Sequence, residues 1–310
     1  AITRHRGTLY VATSQGTHRL VPGTSEPASL EAITPADQSW TLLSTDEALL
    51  IGQRGGLFRY RPQNAPTEGL AQVFEIDHVY DLLRSRHDAS RVYAATSRGV
   101  NVLTYDGADW QVAPPLAGVN TEARALAEAE DGTLWVGTTF DGVYRVRFLT
   151  ADSVSVDHYS TEHGLPEGSI DPLPWKGEIV FGTAADILRF VPGSPPAFER
   201  VSSIESPPAT STGSSSPGVE YIVTGRDGDA WGFLEEGPAH WVHRGSRWQW
   251  APGAVHRLRD RSIGTLYVED EGATVWMGGQ KALLRYVPER RSSSSPQAQI
   301  HRATTQATDS

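Results

Sequence analysis

A short β-hairpin pattern recurs seven times along this chain, and the repetition constrains the fold more than any other feature of the sequence. The clearest copy is DGTLWVGTTFDGVYRVR at 131–147, where two runs of β-branched and aromatic residues flank a turn that ends in Gly142. Each first run ends near a small residue, and these residues are Ala12, Gly52, Ala95, Gly137, Gly182, Gly232 and Gly278. They follow one another at intervals of 40–50 residues, and a mostly β repeat of that length is typical of β-propeller blades.

The repeats predict an all-β fold, a seven-bladed β-propeller with four antiparallel strands per blade. Each blade needs an inner strand before the hairpin and an outer strand after it. The inner candidates are 39–45, 79–85, 123–129, 170–175, 220–225 and 265–270, and the outer candidates are 29–34, 71–77, 109–115, 154–160, 197–203 and 247–252. The segment ARALAEA at 123–129 favours a helix by propensity, but its place in the repeat predicts a strand.

Two regions are expected from the composition along the chain. The propeller should occupy residues 1–290. The Ser/Thr-rich segment 291–310 should add one outer closing strand at 298–304 and end in a disordered tail. The chain starts with Ala, and its lone Met is Met277, which indicates a processed chain or a piece of a longer protein.

An arginine recurs three residues beyond the hairpin turn in five of the repeats, at Arg19, Arg59, Arg145, Arg189 and Arg285. A residue that returns at a fixed register is expected to build the scaffold. The aliphatic part of such an arginine side chain can pack along a neighbouring sheet while its guanidinium group binds a carboxylate or water.

The composition excludes several classes of function. A formal charge of −10 over 310 residues argues against nucleic acid as a partner, because a protein that follows phosphates needs a basic surface. Because the chain has no cysteine, disulfides, Cys-ligated zinc sites and cysteine nucleophiles are excluded. No run of apolar residues approaches the roughly 18 that a membrane-spanning helix needs. The first residues lack the pattern of a signal peptide. We therefore expect no membrane span within this chain.

The sequence carries none of the common catalytic motifs, such as H-E-x-x-H, G-x-S-x-G or a phosphate-binding loop. His240 and His243 are three residues apart, which places them on opposite faces of a strand, a poor arrangement for holding one metal ion. The carboxylate pair Glu235–Glu236 fits a solvated turn as well as it fits glycosidase chemistry. We expect a protein that is not an enzyme, with no catalytic residues, no metal and no cofactor.

The hairpin turns and the links between blades should share one face of the propeller, and their residues differ from repeat to repeat. The ligand-binding candidates on this face are Arg54, Arg98, Phe140, Asp141, Glu235 and Lys281 in the turns, and Trp40, Trp175, Arg257 and Arg259 in the links, which also carry His78. Such a mixture suits a carbohydrate or another small polar ligand, because rings stack on sugar faces and guanidinium groups hold carboxylates. Each residue alone also fits ordinary polar surface, and Trp40 and Trp175 also fit packing between blades.

Two connections, 204–219 and 251–264, are longer than the rest. Long loops on a rigid repeat scaffold often carry function. These two are candidates for docking a protein partner or a second copy in a dimer.

The hairpin at 131–147 closely resembles the two-component regulator propeller repeat, D-G-T-L-W-(V/I)-G-T followed by a turn with glycine and L-Y-R-Y. HGLPEGSI at 163–170, GGLFRYRP at 55–62 and ALLRYVPE at 282–289 resemble other parts of that repeat. The sequence patterns of WD40, sialidase and Kelch blades fit less well. Members of the family are mostly extracytoplasmic sensors that precede a histidine kinase or a diguanylate cyclase. The resemblance implies a periplasmic or extracellular location.

Three functional hypotheses follow. The first is a non-catalytic sensor domain of a bacterial signal-transduction receptor that binds a small polar ligand such as a glycan fragment. The second is a scaffold propeller whose long loops dock another protein. The third is a propeller hydrolase or lyase, which the fold permits but no motif indicates.

Overall fold

The structure is a computed structural model, and it describes residues 1–22, 28–62, 68–150, 153–205, 219–225, 228–234, 237–251, 258, 263–269, 274–279, 282–287 and 299–303. In these residues the secondary structure is β, apart from a short 3₁₀ helix at Thr161–His163. The segment Ala123–Glu128 is a strand, so the repeat position overrides its helical propensity as predicted.

The described strands form six hydrogen-bonded antiparallel sheets, of which five have four strands. The first sheet holds β1 (Ile2–His5), β2 (Thr8–Thr13), β3 (Gly16–Val21) and β4 (Ser29–Ala32). The second, with six strands, holds β5 (Ser39–Ser44), β6 (Leu49–Tyr60), β7 (Leu70–Arg84), β8 (Arg91–Thr96), β9 (Gly99–Tyr105) and β10 (Trp110–Pro115). The third holds β11 (Ala123–Glu128), β12 (Leu134–Thr138), β13 (Val143–Thr150) and β14 (Ser153–Tyr159).

The remaining three sheets have the same four-stranded order along the chain. The fourth holds β15 (Asp171–Trp175), β16 (Glu178–Gly182), β17 (Ile187–Val191) and β18 (Ala197–Arg200). The fifth holds β19 (Val219–Thr224), β20 (Ala230–Leu234), β21 (Gly237–Arg244) and β22 (Arg247–Trp250). The sixth holds β23 (Ile263–Glu269), β24 (Thr274–Gly279), β25 (Leu283–Val287) and β26 (Gln299–Ala303), which pairs with β25 within the predicted range 298–304.

The prediction of seven separate blades is wrong, because the β-propeller has six in the described part of the chain. The second and third hairpin repeats share one sheet. Their connection is β7, which runs unbroken from Leu70 to Arg84 and pairs with β6 in its first part and with β8 in its second. Residues 70–84 contain neither Gly nor Pro, so nothing in the local chemistry ends the outer strand of one repeat before the inner strand of the next begins.

The small residue that recurs at the end of each hairpin's first strand allows neighbouring repeats to approach closely. A Cβ atom at Gly137 would lie 2.1 Å from the carbonyl oxygen of Ile170, and one at Gly182 would lie 2.0 Å from that of Val219. Both acceptors belong to the start of the following repeat. Glycine is therefore required at these two positions by the packing of one sheet against the next.

The hydrophobic core lies between adjacent sheets. Trp135 of β12 packs against Phe181 of β16 with ring centroids 4.9 Å apart, and Arg145 of β13 places its guanidinium 5.7 Å from the Trp135 ring centroid. Another recurring arginine, Arg19, forms a 2.8 Å ion pair with Glu31 on the neighbouring strand. These contacts agree with the scaffold role expected for the repeated arginines.

Candidate functional site

Five of the inner strands that the structure describes begin with a β-bulge, at which one residue is extra in the hydrogen-bond ladder. The extra residues are Trp40, Tyr80, Arg124, Glu220 and Gly264. A bulge redirects the chain and is common beside binding sites. The five residues differ in type although the strands around them repeat, which is the pattern expected of recognition positions on a repeated scaffold.

Trp40, His78 and Tyr80 form an aromatic cluster where the inner strands of the second and third repeats begin. The Trp40 ring lies edge-on to both of the others, with centroids 5.1 Å from His78 and 5.2 Å from Tyr80. His78 and Tyr80 stack with centroids 5.4 Å apart. All three side chains are only partly buried, so the cluster presents ring surface to solvent. Partly exposed rings in contact provide a preformed stacking surface for a ligand.

A charged pair at the start of β11, Glu122 just before the strand and Arg124 within it, completes this surface. The guanidinium of Arg124 lies 4.0 Å from the Tyr80 ring centroid, and its Nε forms an ion pair with Glu122 Oε1 at 2.9 Å. The hydroxyl of Tyr80 donates to the other Glu122 oxygen at 3.0 Å. Burial, and then the Glu122 carboxylate, raise the pKa of the Tyr80 phenol, so the phenol remains a donor. The five residues Trp40, His78, Tyr80, Glu122 and Arg124 are called the mouth cluster below.

Two of the predicted turn arginines border the mouth cluster. Arg54 is paired in register with His78, and its guanidinium lies 3.6 Å from the Asp37 carboxylate. Arg98 reaches Asp77, the neighbour of His78, at 3.4 Å. Both arginine side chains are more than half exposed. Exposed ion pairs contribute little to stability, so these guanidinium groups can exchange their carboxylates for a ligand at low cost.

The turn between β12 and β13 carries the predicted residues Phe140 and Asp141, which have different roles. Phe140 is 92% exposed. Asp141 anchors its own turn, because its carboxylate accepts the Tyr144 hydroxyl and lies 3.3 Å from the His158 ring. Burial and the Asp141 carboxylate raise the pKa of the Tyr144 phenol well above its ordinary range. The turn meets the mouth cluster through Arg124, whose Nε also lies 3.2 Å from the Thr139 hydroxyl.

The structure places Trp175 in the core, apart from these residues. Its side chain is 6% exposed and packs edge-on against Trp248 with centroids 4.9 Å apart. Packing between sheets is therefore its role here, whereas Trp40 contributes to the surface. The predicted site residues Glu235, Lys281, Arg257 and Arg259 lie outside the described residues, as do 206–218 and most of 251–264 in the two long connections.

The mouth cluster includes three residues that were not predicted as ligand-binding, Tyr80, Glu122 and Arg124. Tyr80 and Arg124 lie inside segments predicted as inner strands, and a bulge is not visible in a period-two pattern. The available signal was that residues at this repeat position differ from one another while their neighbours repeat.

Within the described ranges, no three histidine or acidic side chains are grouped so that they could hold a metal ion. None of the helices in these ranges has the length and apolar character needed to cross a membrane.

Several solved β-propellers are similar in fold. The extracellular domain assigned to the hybrid two-component system BT4673 from B. thetaiotaomicron is 22% identical with a TM-score of 0.62, and the match covers 84% of this chain and 32% of that one. The domain assigned to BT3049 from the same species is 18% identical with a TM-score of 0.65, covering 90% and 38%. This chain thus spans well under half the length of either domain.

An enzyme has a comparable fold. A catalytically inactive virginiamycin B lyase from Staphylococcus aureus, solved with quinupristin, is 11% identical with a TM-score of 0.60, and the match covers 90% of both chains. No protein-family model matches the sequence, and no curated protein matches it. At these identities the similarities establish the fold, and the function has to be argued from the site.

Proposed function

We propose that this chain is a non-catalytic sensor domain of a bacterial extracytoplasmic receptor, and that it binds a small polar ligand such as a glycan fragment at the mouth cluster. The observation that carries the proposal is the cluster itself, in which bulges in three successive repeats bring Trp40, Tyr80 and Arg124 together. The domain acts in the periplasm or outside the cell. The resemblance of the hairpin repeat and the extracellular origin of two similar folds support this location.

The chemistry of the mouth cluster suits a hydroxyl-rich ring. The Trp40 ring offers an apolar surface for stacking, and the Glu122 carboxylate accepts hydrogen bonds from hydroxyl groups. Arg54 and Arg98 at the border supply exposed donors in a fork geometry that also matches a carboxylate. The ligand would gain both stacking and charge-assisted hydrogen bonds without rearrangement of the sheets.

A thermal-shift screen against neutral sugars, sugar acids and other polar metabolites tests this proposal, because a ligand that binds the native state raises the unfolding midpoint. Ligands that raise the midpoint are then titrated by calorimetry. We expect Trp40→Ala and Arg54→Gln each to weaken binding by about tenfold or more, the scale of one lost stacking or charge-assisted contact.

Arg84→Gln is the matched control, since Arg84 is paired with Asp46 at the other end of β7. The Arg84→Gln variant should bind the ligand with the affinity of the wild type. The proposal fails if no compound of these classes shifts the midpoint, or if Trp40→Ala binds the ligand as tightly as the wild type does.

Docking of another protein on the same face is a second candidate, favoured by the exposed Phe140 side chain. An exposed aromatic residue at a turn is a typical anchor of a protein interface. A partner captured by the wild type and lost with Phe140→Ser, with no small ligand found in the screen, would favour this function over ligand sensing.

A further inference from the structure

A second concave site lies at the opposite end of the strands that carry the mouth cluster. It is a groove of 390 Å³ between the third and fourth hairpin repeats, and its lining includes His87, Arg91, Tyr93, Glu128, Asp131 and Phe148. Glu128 is the last residue of β11, whose second residue is Arg124 of the mouth cluster. The two sites are therefore separated by the length of the inner strands, and the volume is in the range of small-molecule sites.

The floor of the groove is a fixed carboxylate. Glu128 is 3% exposed, and its Oε1 accepts the Ser85 hydroxyl at 2.9 Å and the Tyr93 hydroxyl at 3.3 Å. Its Oε2 accepts the backbone N–H of Arg86 at 2.5 Å. Because these donors satisfy the carboxylate, the floor holds its shape without a ligand and needs no rearrangement to receive one.

One wall of the groove is aromatic. Phe148 stacks on Tyr93 with ring centroids 5.8 Å apart, and the Arg91 guanidinium lies 5.5 Å from the Phe148 ring centroid. Tyr93 is buried, whereas Phe148 is only partly buried. The ring of Phe148 is therefore the apolar surface that the groove offers to a ligand.

The charges that line the groove balance one another. Arg91 and Arg147 bring two positive charges, and Glu128 and Asp131 bring two negative charges. Asp131 is held by the backbone N–H of Thr133 at 2.9 Å, and this hydrogen bond lowers the pKa of its carboxyl. A balanced site gives no net attraction to an anion or a cation, but it offers both strong donors and strong acceptors.

We propose that this groove binds a small neutral carbohydrate of one or two sugar rings, with a ring face against Phe148 and hydroxyl groups hydrogen-bonded to Asp131 and Arg147. An apolar wall beside charged donors and acceptors matches a sugar, whose faces are apolar and whose edges are hydroxyl groups. The groove shares no residue with the mouth cluster, so this second site does not depend on the function proposed above.

Saturation-transfer NMR with the whole chain tests the groove. The probes are neutral hexoses, neutral hexose disaccharides and the matching hexuronates, and affinities of those that bind are measured by calorimetry. We expect a neutral sugar to bind, and Phe148→Leu and Arg147→Gln each to weaken it by about tenfold, since each removes one stacking or charge-assisted contact. Phe148→Leu keeps the apolar packing but removes the ring, and the unfolding midpoint checks that each variant is folded.

Two controls separate this site from the mouth cluster. Arg98→Gln removes an arginine that is exposed and ion-paired like Arg147, but at the other end of the sheets. Both Arg98→Gln and Trp40→Ala should leave the affinity of the groove for the neutral sugar unchanged. Sugar binding that is lost with Trp40→Ala and retained with Phe148→Leu overturns the groove while leaving the proposed function intact. Failure of every neutral sugar to bind, or binding of hexuronates alone, also overturns it.

Discussion

Asp81 connects the inner strands of three consecutive hairpin repeats through one carboxyl group. Its Oδ2 accepts the backbone N–H of Leu126 on β11 at 2.9 Å, its Oδ1 accepts that of Leu82 at 2.8 Å, and the Thr41 hydroxyl of β5 also donates to it. Burial raises the pKa of this carboxyl from 3.8 to about 6, although the three hydrogen bonds oppose the shift. Asp81 therefore changes its charge close to neutral pH at a point where repeats meet.

The raised pKa predicts that Asp81 makes the protein less stable as the pH rises. Between pH 3.8 and about 6 the unfolded chain releases this proton while the folded protein keeps it. The contribution of Asp81 to the free energy of unfolding is thus fully present below pH 3.8 and is lost as the pH rises through about 6. It amounts to at most about 3 kcal/mol. Urea unfolding of the wild type and of Asp81→Asn across this range measures it. The free energy of unfolding of the wild type should fall relative to that of the variant; parallel profiles would contradict the assignment.

The residues of the candidate site were only partly predictable from the sequence. Arg98 and Phe140 lie in hairpin turns, and turn chemistry is local enough to place them at the surface. Arg54 was predicted in a turn but lies within β6, although its side chain is exposed. Trp40 and Trp175 looked alike in sequence, yet Trp40 is only partly buried, whereas Trp175 is buried against Trp248. That difference depends on which sheet packs beside each residue, and such a contact joins positions too far apart in the chain for a local pattern to reveal.

At the scale of elements, β7 distinguishes this propeller from a row of independent blades. The repeat positions predicted strands on both sides of His78, at 71–77 and 79–85, and β7 runs through both segments as far as Arg84. Neither Gly nor Pro marks the junction, so the sequence could not show whether the strand would end there or continue. In the structure the strand continues through His78, and the second and third repeats form one sheet of six strands.

The continuous strand predicts that residues 70–77 and 79–84 open together. Native-state hydrogen exchange of the two segments should give protection factors within about tenfold of each other, as expected within one cooperative unit. The control is the connection between β14 and β15, where residues 160–170 separate two sheets and the flanking strands should differ more. Much faster exchange in 70–77 than in 79–84 would show that the two repeats open separately.

At the scale of the whole molecule, the first and last sheets are in direct contact. Ile2 and Val11 of the first sheet form one apolar cluster with Leu283 of the last, and Trp276 packs against it. Beside this cluster Arg4 donates from Nε to Glu269 Oε1, and the indole N–H of Trp276 donates to Glu269 Oε2 at 2.8 Å. One carboxylate thus connects β1 with β23 and β24 and joins the two ends of the series of sheets.

This contact predicts that Glu269→Gln destabilises the protein by about 1–2 kcal/mol, because a charge-assisted hydrogen bond between the first and last sheets is lost. The hydrogen bond from Arg4 lowers the pKa of Glu269 below its ordinary 4.5, so its contribution is present above pH 4.5 and lost as the pH falls through the lowered value. Urea unfolding at neutral pH should give a lower free energy of unfolding for the variant than for the wild type, and this difference should disappear on acidification.

Glu31→Gln is the control, because the ion pair of Glu31 with Arg19 lies within one sheet and is more exposed. Its loss should therefore cost less than about 1 kcal/mol. Equal losses for the two variants would mean that Glu269 acts as an ordinary surface ion pair, without a special role in joining the ends of the series.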